Sequence, residues 1–105
     1  MRLQGSVDAV LTQQELRCQF VIAELELAAT FSNIALTTTM DDRFRRNSTL
    51  AYQAYDTAIR FLAVCTLTCQ QKQIISNRLR EARSKLKELE RHPDYRGANR
   101  GAGQV

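Results

Sequence analysis

Residues that interrupt helices are scarce in this chain. Its 105 residues include one proline and four glycines, and three of those glycines lie in the last nine positions. Residues 6–92 therefore contain neither type. A segment so free of breakers, and rich in Ala, Leu, Gln, Glu, Lys and Arg, predicts helices and excludes an all-β fold. The length suits a single domain.

Histidine and cysteine are also scarce, and this excludes most catalytic and metal-binding arrangements. His92 is the only histidine, and because we expect it at a helix end, it cannot complete a Ser-His-Asp or Cys-His group in the core. A zinc site wants four ligands and would need Cys18, Cys65, Cys69 and His92 together, so we interpret the cysteines as small buried apolar residues. Their odd number argues against a disulfide framework. We expect no enzymatic activity, no metal and no cofactor, and a reduced, cytoplasmic setting.

Uninterrupted apolar runs long enough to span a membrane are absent as well. A span needs roughly 18 to 20 consecutive apolar residues, whereas the richest stretch, residues 20–29, contains Glu24 and Glu26. The first residues also lack the basic-then-apolar layout of a signal peptide. We therefore expect no association with a membrane.

Charge is distributed unevenly along the chain, whose net charge is +4. Residues 1–42 contain two basic and six acidic residues, a net of −4, and residues 43–105 contain thirteen basic and five acidic residues, a net of +8. The asymmetry indicates either an anionic partner or a fold in which the two parts lie against each other. We favour the second interpretation.

Capping and break signals predict three helices, at about 12–36, 42–65 and 68–91. Thr12 and Glu15 fit a capping box at the first start, with an additional turn over residues 7–11 as an alternative. Breaks follow at 37–39 and 66–68. We expect Thr38 or Asp41 to cap the second helix, and Thr68 to cap the third in a capping box with Gln71.

The connections between these helices are short, and short connections place successive helices antiparallel. We therefore predict an all-α, three-helix up-down-up bundle. Pro93 disfavours helix at the preceding residue, so residues 1–92 are predicted as a single helical domain. The glycine-rich segment 93–105 is predicted to be a disordered tail.

The predicted helices differ in how many apolar faces they carry. Helices 2 and 3 have one each, formed by Phe44, Ala51, Ala54, Tyr55, Ala58, Leu62 and Cys65 and by Ile75, Leu79, Ala82, Leu86 and Leu89. Helix 1 has two. The first consists of Leu16, Phe20, Ala23, Leu27, Phe31 and Ile34, and the opposite one of Leu11, Cys18, Ile22, Leu25, Ala29 and Leu36, with Val21 and Ala28 beside it.

A helix with two apolar faces needs cover on both sides, because large exposed apolar stripes are unusual on soluble monomers. Helices 2 and 3 can cover one face, and a second copy of the chain can cover the other in a twofold homodimer. The alternatives are that helices 2 and 3 cover both faces, or that another helical protein binds. We predict that Phe20 and Phe31 anchor the monomer core and that the self-association face comprises Cys18, Val21, Ile22, Leu25 and Ala28.

Basic residues cluster on the third predicted helix, at Arg78, Arg80, Arg83, Lys85 and Lys87. Such a patch can bind the phosphates of a nucleic acid. No helix-turn-helix motif and no stacking aromatic residue stands among these arginines in the sequence. We favour a solvated helix face and keep nucleic-acid binding as the alternative.

One local pattern in helix 2 resembles a known family. The spacing of Ala51, Tyr55, Ala58 and Ile59 is similar to the second helix of a tetratricopeptide repeat. Together with helix 3 it also resembles microtubule-interacting and trafficking domains, three-helix bundles that bind peptide helices. The resemblance covers nine residues and implies a helical adaptor. From the sequence we therefore predict a non-enzymatic protein-protein interaction module that forms a homodimer.

Overall fold

The computed structural model describes the backbone of residues 2–93 and the side chains of residues 13–93. It contains three helices, α1 (Arg2–Thr37), α2 (Asp41–Leu62) and α3 (Cys69–Arg91), and the described residues include no strand. The predicted all-α bundle is confirmed. The predicted disordered tail lies outside the described residues, apart from Pro93.

Two contacts between aromatic rings show the relative directions of the helices. Phe20 in α1 contacts Phe61 at the end of α2, with the ring centroids 4.5 Å apart. Phe44 at the start of α2 stacks on His92, just after α3, at 4.4 Å. The start of α2 therefore meets the end of α3, as an up-down-up arrangement requires.

The predicted start of α1 is wrong. The helix begins at Arg2 and continues through Thr12, so the Thr12–Glu15 pattern lies inside the helix and is not its cap. The reason is energetic, since a threonine in a helix interior costs only a few tenths of a kcal/mol and a single glycine such as Gly5 about 1 kcal/mol. These costs are too small to end a helix that is otherwise favourable.

The predicted limits of α2 also need correction. The residue before the helix is Met40, which makes no side-chain capping bond, so neither Thr38 nor Asp41 caps α2. Thr38 instead accepts a hydrogen bond from the Met40 N–H at 3.2 Å, while Asp41 begins the first turn, where the helix dipole favours a carboxylate. α2 ends at Leu62, where the hydrogen-bond pattern changes. The amides of Val64 and Cys65 donate to carbonyls three residues earlier instead of four, such as the Cys65 N–H to the Leu62 carbonyl.

The limits of α3 agree with the sequence. The Gln71 N–H donates to Thr68 Oγ1 at 3.1 Å, and the Thr68 N–H donates to Gln71 Oε1 at 3.0 Å, which confirms the capping box. The helix ends at Arg91, and His92 has extended backbone angles, as expected for a residue before proline.

The core lies along α1, because α2 and α3 both pack against this helix and have little contact with each other. The apolar faces predicted for α2 and α3 are confirmed as inward-facing, and the buried Ser48 extends the α2 face. Small residues dominate the centre of α2, so α1 and α2 approach closely. The buried residues of α1 are Cys18, Val21, Leu25, Ala28, Ser32 and Ala35.

Candidate interaction surface

The inner face of α1 is the one that the sequence assigned to self-association, and this assignment is wrong. Cys18, Val21, Leu25 and Ala28 are at most 4% exposed, and Ile22 packs against the same core cluster. The physical reason is size. The alanines of α2 let the two helices approach closely, so the space between them does not accommodate an aromatic ring such as that of Phe20.

The other face of α1 remains partly open to solvent. We call it the outer stripe, and it comprises Leu16, Phe20, Ala23, Leu27, Phe31 and Ile34. Leu16 is 57% exposed, Phe20, Leu27 and Ile34 are about 40% exposed, and Phe31 is half-buried. α3 packs elsewhere on α1, and α2 covers only one side of this stripe. The prediction that α2 and α3 leave one apolar face of α1 uncovered is therefore supported, but for the opposite face.

A matching apolar edge runs along α2. Within the helix it consists of Leu50, Ala54, Thr57 and Phe61, which recur at intervals of three and four residues, and it continues to Val64 just after the helix ends. Phe61 and Val64 are exposed. Between this edge and the outer stripe lies a groove of about 230 Å³, which we call the outer groove, lined by Glu24, Leu27, Phe31, Leu50, Gln53, Ala54 and Thr57.

Charged residues border the outer stripe. Glu26, on the side towards α3, pairs with Arg78, whose Nη2 lies 3.3 Å from its carboxylate. Arg17 and Glu24 lie on the side towards α2, seven residues apart and therefore about 10 Å from each other along the helix. Neither of them forms an ion pair within residues 13–93. Two opposite charges that form no ion pair among residues 13–93 thus lie on one side of the stripe.

Part of α1 meets the length and composition criteria for a membrane-spanning helix. The segment Gln13–Thr37 is long enough and apolar enough to cross a membrane, by length and composition only, with a mean hydropathy of 1.4. Core helices of soluble proteins and signal sequences near an N-terminus satisfy the same criterion. The segment does not stand out as an uninterrupted apolar run in the sequence, because Arg17, Glu24 and Glu26 divide it.

The basic residues of α3 do not form one continuous patch. Arg78 is engaged with Glu26 and also lies 3.8 Å from Glu81, and Lys85 is half-buried. Arg80, Arg83 and Lys87 are exposed and line one pocket, and Arg83 Nε also donates to the hydroxyl of Tyr55 at 2.8 Å. Only part of the predicted patch is thus available to a large anionic ligand.

Two tyrosines of α2 lie among these basic residues. A cleft of about 280 Å³ between α2 and α3 is lined by Tyr52, Tyr55, Arg83, Leu86, Lys87 and Glu90. The Tyr52 hydroxyl donates to Glu90 at 2.5 Å. The sequence of α3 alone contains no aromatic residue among its arginines, so these rings were not predicted there. The three-residue spacing of Tyr52 and Tyr55 at the edge of the α2 face was the signal that could have placed them beside the basic residues of α3.

The cysteines of the described residues are free, and the pKa of one of them is shifted. Burial raises the pKa of the Cys18 thiol, and the nearby Cys65 thiol raises it further. A thiol with a raised pKa is a weak nucleophile at neutral pH. Within residues 13–93, no group of three or more His, Cys, Asp or Glu side chains is placed to hold a metal ion.

Comparison with known proteins adds no functional assignment. No protein-family model matches the chain, no curated protein matches its sequence, and no solved structure matches its fold. The local resemblance of α2 to tetratricopeptide and microtubule-interacting and trafficking helices therefore stays a prediction.

Proposed function

We propose that the protein is a non-enzymatic helical interaction module that self-associates through the outer stripe of α1. The observation that carries the proposal is the exposure of four large apolar side chains, Leu16, Phe20, Leu27 and Ile34, along one line of a helix whose opposite face is fully packed. The apolar edge of α2 beside them widens the surface. As part of the proposal, the module works in a reducing compartment, which its free cysteines support.

The energy available from covering the outer stripe suits a reversible dimer. Complete burial of a large apolar side chain stabilises by about 1.5–3 kcal/mol, and the four side chains are roughly half-exposed. Covering them in both copies therefore contributes on the order of 5–10 kcal/mol before the cost of association, which is estimated at about 4–15 kcal/mol. The edge of α2, with Phe61 and Val64, adds apolar area to the same interface.

A pair of charge substitutions tests the proposal. Leu27 in the outer stripe and Ile74 on α3 are 42% and 44% exposed, so they lose similar apolar area when replaced by glutamate. We expect Leu27→Glu to give a helical monomer and Ile74→Glu to remain a dimer, as measured by sedimentation equilibrium and circular dichroism. A wild-type chain that is monomeric at high micromolar concentration contradicts self-association.

The Leu27→Glu variant also distinguishes self-association of α1 from binding of α1 to a lipid bilayer. Glu24 and Glu26 lie near the middle of the segment Gln13–Thr37, and an ionised residue at the centre of a membrane helix costs about 2.5–3.5 kcal/mol on insertion scales. We therefore expect the purified protein to stay in the soluble fraction when it is floated with phosphatidylcholine vesicles. Flotation of the wild type, lost in Leu27→Glu, identifies a membrane as the partner instead.

Nucleic-acid binding is the second candidate function, and it is favoured by one contact. The hydrogen bond from Arg83 to Tyr55 brings aromatic rings into the basic region of α3. Rings beside arginines can stack with unpaired bases while the cations contact phosphates. We expect any such binding to be reduced in an Arg80→Glu, Lys87→Glu double variant but not in Arg46→Glu, an exposed control on α2. Gel retardation at two salt concentrations measures it, because phosphate contacts weaken steeply with salt.

A further inference from the structure

The outer stripe has the spacing of a coiled-coil seam. Its members recur at intervals of four and three residues, which places them along one side of a helix that can pair with another helix. Large and small side chains alternate at its centre, where Phe20 is followed by Ala23 and then by Leu27. A paired helix packs best when its large residues oppose the small ones.

The flanks of such a seam determine the orientation of two paired helices, because charged residues there form ion pairs across the interface. Arg17 and Glu24 are on the same flank. In a parallel pair this flank faces the opposite flank of the second copy, where Gln19 stands against Glu24 and no acidic residue stands against Arg17. In an antiparallel pair this flank faces its own counterpart, so Arg17 of each copy can meet Glu24 of the other.

The ion pairs also select one antiparallel register. When Arg17 faces Glu24, Leu16 opposes Leu27 and Phe20 opposes Ala23 of the second copy, so each large ring at the centre of the seam faces a small residue. The competing register centres the whole stripe, with Leu16 against Ile34. It places Glu24 close to Glu24 of the second copy, and like charges at an interface are unfavourable.

We infer that two copies pair antiparallel along α1, with the twofold axis near residues 21 and 22 and two reciprocal Arg17–Glu24 ion pairs. This inference rests on the proposed self-association and specifies its partner surface. Each α1 then lies beside the outer groove of the other copy, and the interface combines the α1 and α2 helices of both chains. The α3 helices remain on the outside of the assembly.

A charge-reversal cycle tests the arrangement. Arg17→Glu and Glu24→Arg each place like charges together twice in the dimer, and the double variant Arg17→Glu, Glu24→Arg restores the pairs in reverse. At low ionic strength, where charge effects are least screened, we expect each single variant to raise the dimer dissociation constant at least about tenfold. The double variant is expected to return to within about threefold of the wild type.

The outcomes separate this inference from the proposal beneath it. A wild-type dimer whose dissociation constant is unaffected by the single variants contradicts the register but not self-association. Single variants that weaken the dimer without rescue by the double variant also contradict the register. A monomeric wild type contradicts both. The matched control is Arg80→Glu, an exposed charge reversal on α3 and therefore outside the proposed interface, which we expect to leave the dissociation constant within about threefold of the wild type.

A distance measurement checks the orientation independently of charge. A spin label at Asn33→Cys, in a background with Cys18→Ala, Cys65→Ser and Cys69→Ser and unchanged helix content, reports the separation of the two copies. The inferred register gives an axial separation of roughly 34 Å, the stripe-centred register roughly 24 Å, and a parallel pair a small fraction of these values. A double electron-electron resonance distance that corresponds to an axial separation near 34 Å supports the inference, and either shorter value overturns it.

Discussion

The two faces of α1 contain similar numbers of apolar residues and yet have different roles. The inner face has aliphatic side chains without aromatic rings, among them Val21, Leu25 and Ala28, and it is buried against α2 and α3. The outer face includes the rings of Phe20 and Phe31, and its Phe20 and Leu27 side chains remain about 40% exposed. The difference indicates that the shape of the side chains, as well as their hydrophobicity, decides which face of a helix packs against a neighbouring helix built from alanines.

The largest expected effect comes from shortening one leucine on each face. Leu25 is 1% exposed, so Leu25→Ala removes buried contacts and leaves a cavity, and we expect a loss of about 2–5 kcal/mol in the free energy of unfolding. Leu16→Ala, at a position that is 57% exposed, is expected to cost the monomer less than about 0.5 kcal/mol. Urea denaturation at concentrations where the chain is monomeric measures both. Equal losses contradict the assignment of the two faces.

Enlarging an alanine on each face sharpens the comparison. Ala28 is completely buried and Ala23 is exposed. We expect Ala28→Leu to destabilise the monomer by about 1–3 kcal/mol through overpacking, whereas Ala23→Leu should be nearly neutral. Thermal unfolding of the two variants, at concentrations where the chain is monomeric, tests this. A neutral Ala28→Leu is incompatible with close contact between α1 and α2.

A smaller effect is expected from the two serines buried in the core. The Ser32 hydroxyl donates to the Ala28 carbonyl at 2.7 Å, whereas Ser48 Oγ is buried without a hydrogen-bond partner. Ser48→Ala removes an unsatisfied polar atom and introduces a better helix former, so we expect a gain of about 0.5–1 kcal/mol. Ser32→Ala should not stabilise as much. Chemical denaturation of both variants provides the measurement, and a destabilising Ser48→Ala shows that its hydroxyl is bonded.

The smallest effect concerns the pH dependence of the thiols. Cys18 is buried with a raised pKa, and Cys69 is exposed. We expect a disulfide reagent to modify Cys69 rapidly at pH 8 and Cys18 only when the chain unfolds. Since the folded-state pKa of Cys18 exceeds the unfolded value, its stabilising contribution is present below the ordinary thiol pKa and declines as the pH rises through the folded value. Replacement by Cys18→Ala should remove this decline at alkaline pH.

The sequence was sufficient for the helices and for the faces of α2 and α3, because each of these helices has one apolar stripe. It also identified the Thr68 capping box, whose geometry depends only on local residues. It failed at Thr12, where the same local pattern lies within a longer helix. It also failed at the choice between the faces of α1, because that choice depends on the alanines of another helix. Likewise, the placement of Tyr55 beside Arg83 depends on tertiary packing.

The sparse contact between α2 and α3 has a consequence for the order in which the protein opens. The backbone of α3 lies against α1 and has fewer contacts there than α2 does, and α3 meets α2 mainly through side chains such as Arg83 and Tyr55. A helix that packs less extensively than its neighbours can detach as one cooperative unit while the remaining pair persists. Backbone amides near Ile75, Ala82 and Leu89 should therefore exchange with deuterium sooner than those near Leu25 and Ala58, and all of the α3 amides should share one opening free energy.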